Sequence, residues 1–212
     1  MWQPSEHDNT VDDFVQATYQ DVKKHYQAGV RMFEIHNEPN LFVEGFNLCW
    51  RNGGEFAAFL RRVANEYRRM CPDIQIGWPG LSPGHDMDNV RTAAIPFYEQ
   101  AVATGVVDEC DWIGAHCYFT NYDEMRGDAG HYYRNYVRND KPILITEFSN
   151  PTHGVSSDVK GNQYVLYVNS LDPIVHSAYA FIAAASGNSF PHEVWVDTQI
   201  PSIVGSRNGN TT

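Results

Sequence analysis

Two glutamates stand where a polar side chain closes an apolar run. The first lies in Phe33-Glu34-Ile35-His36-Asn37-Glu38-Pro39-Asn40, where a short hydrophobic strand ends in an Asn-Glu pair and is broken at once by proline. The second lies in Ile143-Leu144-Ile145-Thr146-Glu147-Phe148, a hydrophobic strand whose first strongly polar side chain is Glu147. If these strands belong to one parallel sheet, both carboxyls fall on its C-terminal rim, where (β/α) proteins assemble their active sites. Two carboxyls on one rim can divide acid–base and nucleophilic work, given environments that keep one protonated and the other ionised. His116-Cys117-Tyr118 adds an imidazole and a phenol at the end of a further apolar run.

The elements that must hold these tips follow from periodicity. Val11, Phe14, Val15, Thr18, Tyr19, Val22 and Tyr26 recur at helical spacing, Gly29 marks the stop, and a strand follows over 32–37. Phe56, Phe59, Leu60, Val63 and Tyr67 mark a second helix closed by Pro72, before a strand over 74–78. Further helices are expected at 92–104, 132–137 and 161–171, with strands at 111–118, 142–146 and 177–185. Helices alternating with five strands predict an α/β fold with a parallel sheet, either a truncated TIM-type (β/α) barrel or an open flavodoxin-type sheet. No GxGxxG or GxxxxGK[ST] loop follows any strand, which removes the commonest functional reason for the open sheet. One domain is expected over 1–197, with a loose polar tail over 198–212.

Composition narrows the partners. The net charge of −11 argues against nucleic acid, since neutralising phosphates needs clustered Lys and Arg. Arg61, Arg62, Arg68 and Arg69 form the single basic group, and their spacing reads as the solvated face of the second helix. No apolar run is long enough to cross a membrane. Met1–Thr10 is polar and unlike a secretory leader, so a soluble chain is expected, cytoplasmic rather than secreted. Cys49, Cys71, Cys110 and Cys117 have no CxxC spacing and read as structural. The histidines show neither HxH nor HExxH, so no metal is expected.

The strand tips resemble those of the clan A retaining glycoside hydrolases, the four-over-seven (β/α)8 barrels that include cellulase-like and β-galactosidase-like families. In that clan an Asn-Glu-Pro closes strand four and a lone Glu closes strand seven, so the five strands here correspond to strands four to eight. The resemblance implies a retaining β-glycoside hydrolase, β-galactosidase-like, β-glucosidase-like or endo-glucanase-like, that acts on carbohydrate without a cofactor. Glu38 matches the acid/base, Asn37 the residue that bonds the sugar 2-hydroxyl, and Glu147 the nucleophile. His116 matches the histidine lining the sugar site, and Tyr118 the phenol that steadies the nucleophile. Retention requires the carboxyls about 5 to 5.5 Å apart.

Sugar rings stack on flat apolar faces, and rim aromatics include Trp50, Trp78, Tyr118, Phe119, Tyr122, Phe190 and Trp195. Trp78 and Tyr118 are preferred because they sit at strand ends, whereas Trp112 at a strand start is expected in the core. Where the clan offers a tryptophan after strand eight, this chain has Ser186-Gly187-Asn188-Ser189-Phe190, so Phe190 or Trp195 must substitute. His36 reads as a packed histidine as readily as a sugar ligand.

Strands one to three, with the arginine the clan places near its nucleophile, have no counterpart. Two exposed sheet edges then need cover. The opening residues and tail could supply it, two chains could pair as a homo-oligomer across the open side, or the sequence could be a fragment. The competing function is a non-catalytic sugar-binding or assembly module that kept the rim and lost the chemistry.

Overall fold

The computed structural model describes residues 11–185 and 189–206. The expectations placed on Met1–Thr10, on residues 186–188 and on the end of the tail lie outside them.

Two compact units divide these residues, the first taking the chain to Gly114 with Arg138–Pro142, the second taking Ala115–Val137 and the chain from Ile143. In the first, α1 (Val11–Gln27) ends at Gly29, whose φ of 97° is the left-handed stop a glycine supplies without strain. β1 (Met32–Glu34) pairs in parallel with β2 (Gln75–Trp78). Between them runs α2 (Gly53–Met70), whose N-cap Asn52 accepts the Glu55 N–H at 2.9 Å. Phe56, Leu60, Val63 and Tyr67 fall on one face of α2 and are buried. Helices α3 (Ala94–Val102) and α4 (Val106–Glu109) follow β2. β3 (Trp112–Tyr118) joins β2 through Gly77 opposite Trp112, where a Cβ on Gly77 would come within 2.3 Å of the indole. The arginines of α2 face solvent against acids: Arg61 on Glu109, Arg68 on Asp111 and Arg69 on Glu66.

The second unit holds the end of β3, α5 (Tyr122–Arg126), β4 (Ile143–Ser149), α6 (Ser157–Asn169), β5 (Val175–Ala180) and α7 (Ile200–Gly205). β4 and β5 are parallel neighbours, and Phe119 N–H donates to Ser149 O where β3 meets β4. The core is aromatic, with Phe119, Tyr133, Phe148, Tyr164 and Tyr167 around Ile143 and Ile145. Cys71, Cys110 and Cys117 are buried thiols, Cys49 is half-buried, and none is disulfide-bonded.

Strand order in the sheet follows the chain, β1-β2-β3-β4-β5. A flavodoxin-type sheet would carry its second strand outside its first. Sequential parallel order with helical crossovers is the topology of a truncated TIM-type α/β barrel.

Several expected boundaries move. The helix expected at 132–137 is a short 3-10 turn, Tyr132–Asn135. The last strand lies at Val175–Ala180 rather than 177–185, and the first stops at Glu34 rather than 37. The stretch from 198, expected to be loose, contains α7. Ile200 is buried there, and Ile203 lies where a Cβ on Gly161 of α6 would meet it at 3.0 Å.

Candidate active site

β1 delivers its polar tip through an unusual backbone. His36 and Glu38 both have left-handed φ, 77° and 39°. For non-glycine residues such conformers cost about 1–3 kcal/mol each and persist where surrounding contacts over-determine them. The contacts here come from Gly80, just past β2. Its N–H donates to Glu34 Oε1 at 2.6 Å, and its carbonyl accepts the Glu38 N–H at 3.1 Å. Pro39 O accepts the Trp50 indole N–H at 2.7 Å. Asn40, wholly buried, donates to Ser82 O and Thr92 O and accepts the Ser82 N–H, each at 2.9 Å. The segment carrying Glu38 is therefore bound at both ends to the loop after β2, with Asn37 exposed and Glu38 half-buried.

His36 lies beyond β1, not inside the strand as expected. Its ring packs against Phe14, Trp50 and Phe56 at centroid distances of 6.1, 5.0 and 5.9 Å. Burial there lowers the imidazole pKa to about 4, so the ring is neutral near pH 7. Trp78, expected as a sugar platform, is fully buried between Phe56 and Tyr98 and has no face open to solvent. A strand covered on both faces hides its terminal indole as readily as it presents it. Trp112 is buried, as its place at a strand start suggested.

In the second unit, β3 and β4 bring three predicted side chains together. His116 and Tyr118 are two residues apart on β3 and so share a face. Tyr118 donates its phenol hydrogen to Glu147 Oε2 at 2.5 Å, and His116 Nδ1 lies 3.5 Å from the same oxygen. His116 is 1% exposed and the Glu147 side chain 21%, which leaves a carboxylate held by a phenol and a buried imidazole with one side open.

Behind Glu147 lies a polar network that sequence reasoning missed. Ser149, two residues on, is fully buried with Oγ 3.2 Å from Tyr164 OH. Asn150, also fully buried, donates to Gln163 Oε1 at 2.8 Å and to Thr120 O at 3.0 Å. The buried Lys160 donates to Asn150 O at 2.7 Å and to His192 O. Glu193, 8% exposed, joins from the segment after β5 by a hydrogen bond with Ser149, while its Oε2 has no hydrogen-bond partner among the described residues. Burial raises the Glu193 pKa, and the charge of Glu147 adds to the rise. Nothing in residues 190–195 announces this in sequence, because an isolated glutamate in a loop is ordinarily a solvated charge.

Of the other expected platforms, Phe190 is 49% exposed and meets Phe181 edge-on at 4.8 Å. Trp195 is half-buried and stacks on Tyr164 at 5.6 Å. Phe181 follows β5 directly.

No protein-family model and no curated protein matches the chain. Among solved structures it is similar to a GH128 (subgroup II) endo-β-1,3-glucanase from Sorangium cellulosum, at 20% identity and a TM-score of 0.63, covering 84% of this chain and 70% of that one. It is also similar to a GH128 (subgroup I) endo-β-1,3-glucanase from Amycolatopsis mediterranei in complex with laminaritriose, at 14% identity and a TM-score of 0.58, covering 95% and 77%. A glucosidase from Croceicoccus marinus matches at 18% identity and a TM-score of 0.57, covering 87% and 40%. The chain spans 70%, 65% and 63% of the first three GH128 structures. At such identity the likeness establishes the fold.

Proposed function

We propose that the chain carries the active site of a retaining β-glycoside hydrolase acting on a β-linked glucan, with β-1,3-glucan the first substrate to test. The observation that carries the reading is the Tyr118–Glu147–His116 cluster on β3 and β4. A carboxylate gripped on one oxygen by a phenol is oriented for attack through the other, and solvent reaches it from one side.

In the first step Glu147 attacks the anomeric carbon while Glu38 gives its proton to the glycosidic oxygen. The C–O bond to the leaving sugar breaks, and a glycosyl ester forms on Glu147. In the second step Glu38, now a carboxylate, takes a proton from water, whose oxygen displaces Glu147. Asn37, exposed beside Glu38, bonds the 2-hydroxyl. The glucan preference is supported by the names of the structural neighbours, the β-1,3-glucanases among them.

The test is kinetic. Glu147→Gln and Glu38→Gln are each expected to lower kcat by several orders of magnitude with the fold retained. On an aryl β-glycoside whose leaving group needs no proton, azide should restore turnover to Glu38→Ala and yield a β-glycosyl azide, because a small anion attacks the glycosyl ester without needing a base, whereas any azide product of Glu147→Ala would be α. Wild-type turnover on β-1,3-glucan, aryl β-glucoside, galactoside and xyloside that matches the Glu147→Gln background would overturn the assignment. Calorimetric sugar binding without turnover would instead identify a non-catalytic sugar-binding module.

A further inference from the structure

Two loops leave the first unit's strands, residues 39–52 after β1 and 79–93 after β2. Asn40 ties them together from inside, and the Phe42 N–H donates to Val90 O at 2.9 Å. They border an open basin of about 360 Å³, of the order of a small-ligand site, lined by Phe42, Phe46, Asp86, Asp88, Asn89 and Arg91 among others. Its aromatic floor is fixed. Phe46 packs on Phe97 of α3 at 6.3 Å and on Phe42 at 5.4 Å, while Phe42 itself is half-buried.

The walls are ordered as well. Asp86 accepts from Thr92 Oγ1 at 3.0 Å and from the Ala93 N–H at 2.8 Å, and the Arg91 guanidinium donates to His85 O at 3.1 Å. Asp88 and Asn89 stand exposed at the mouth, with no side-chain hydrogen bond among the described residues. The basin also adjoins the proposed acid/base in the chain, since the Leu41 N–H donates to Glu38 O at 2.8 Å.

The lining selects among occupants. Asp86 and Asp88 outweigh the one guanidinium, Arg91, which is already engaged with His85 O, and so disfavour a phosphate, while an apolar peptide would cover Asp88 and Asn89 without satisfying them. A pyranose has an apolar C–H face to lay on Phe42 and a rim of hydroxyls for a carboxylate and an amide to bond. We infer that this basin is a sugar subsite on the leaving-group side of Glu38, taking one pyranose of a β-linked glucan at a distance from the scissile bond. Its placement on that side rests on the role proposed for Glu38, whereas its binding of a pyranose does not.

The test uses the full chain with β-1,3-linked glucose oligosaccharides from disaccharide to hexasaccharide, beside an aryl β-glucoside too short to reach the basin. Affinity, by calorimetry in the Glu147→Gln background where the oligosaccharides are not consumed, should rise with chain length. Phe42→Ala should weaken hexasaccharide binding about tenfold, and Asp88→Ala, at an exposed position, a few-fold, while Phe42→Tyr restores it. The aryl glucoside should be unaffected throughout. Asp88→Ala keeps the test open if Phe42→Ala fails to fold. Unchanged hexasaccharide binding in Phe42→Ala and Asp88→Ala, an equal loss for the aryl glucoside, or no binding in the Glu147→Gln background would each overturn the subsite. Binding of this pattern without cleavage by the wild-type chain would overturn the hydrolase reading and leave the subsite standing. Cleavage with unaltered variants would do the reverse.

Discussion

His36 and Glu193 are buried ionisable groups whose pH effects on stability have opposite signs. The His36 pKa falls from 6.5 to about 4 on folding, because its ring sits among Phe14, Trp50 and Phe56. The unfolded chain then binds more protons between these values, so this stability is complete above pH 6.5 and lost as pH falls toward 4, about 3 kcal/mol at most. Glu193 has a raised pKa, with burial the first cause and the charge of Glu147 a further one, against Ser149 and Lys160. The folded chain binds the extra proton here, so stability is complete below the ordinary carboxylate range and declines as pH rises through the folded value. His36→Asn, whose side chain tolerates the left-handed backbone and does not titrate, should flatten the fall in Tm between pH 6.5 and 4. Glu193→Gln should instead gain on wild type progressively as pH rises above the ordinary carboxylate range. Parallel Tm curves for all three proteins would refute both assignments.

Among elements, the paired loops after β1 and β2 depend on Asn40. Its amide makes three hydrogen bonds to backbone from a fully buried position. Asn40→Ala strands those three backbone groups and should cost at least about 3 kcal/mol, at about 1–3 kcal/mol for each group left unsatisfied. Chemical denaturation with an unchanged m-value would measure it, and a cost below about 0.5 kcal/mol, the level of an ordinary surface change, would show that the loops do not need the amide. Sequence patterns reach the elements better than these joints. The α2 face, Gly29 and the run at 143–146 were legible because period and punctuation are local properties. So was the sharing of one face by His116 and Tyr118, which follows from strand parity alone. The left-handed turns at His36 and Glu38 were not, since Gly80, more than forty residues away, holds the segment there. Trp78 was misplaced for a related reason: parity says which residues share a face, not which face meets the helices. Glu193 reaches Ser149 only through the fold, and no local pattern in its loop signals that.

For the molecule as a whole, the strand order leaves β1 and β5 each with a single strand neighbour among the described residues, and unpaired edges are templates for association. Tyr179 on β5 and Met32 on β1 are 56% and 39% exposed, so neither terminal strand is closed off by its own side chains. The counterweight is charge, since a net −11 makes copies repel near pH 7, and that repulsion vanishes near the isoelectric point of about 5.1. Light scattering should therefore record dispersed chains at pH 8 in low salt, and growing association as pH approaches 5 or as salt screens the charge. Tyr179→Lys and Met32→Lys place a cation beside each edge, the device by which natural sheets discourage edge pairing. If edges drive association, the double variant should stay dispersed closer to pH 5 than a control carrying two lysines on the solvent face of α2, which shifts the net charge equally. Identical behaviour of the two would assign the association to charge alone and leave the edges without a part in it.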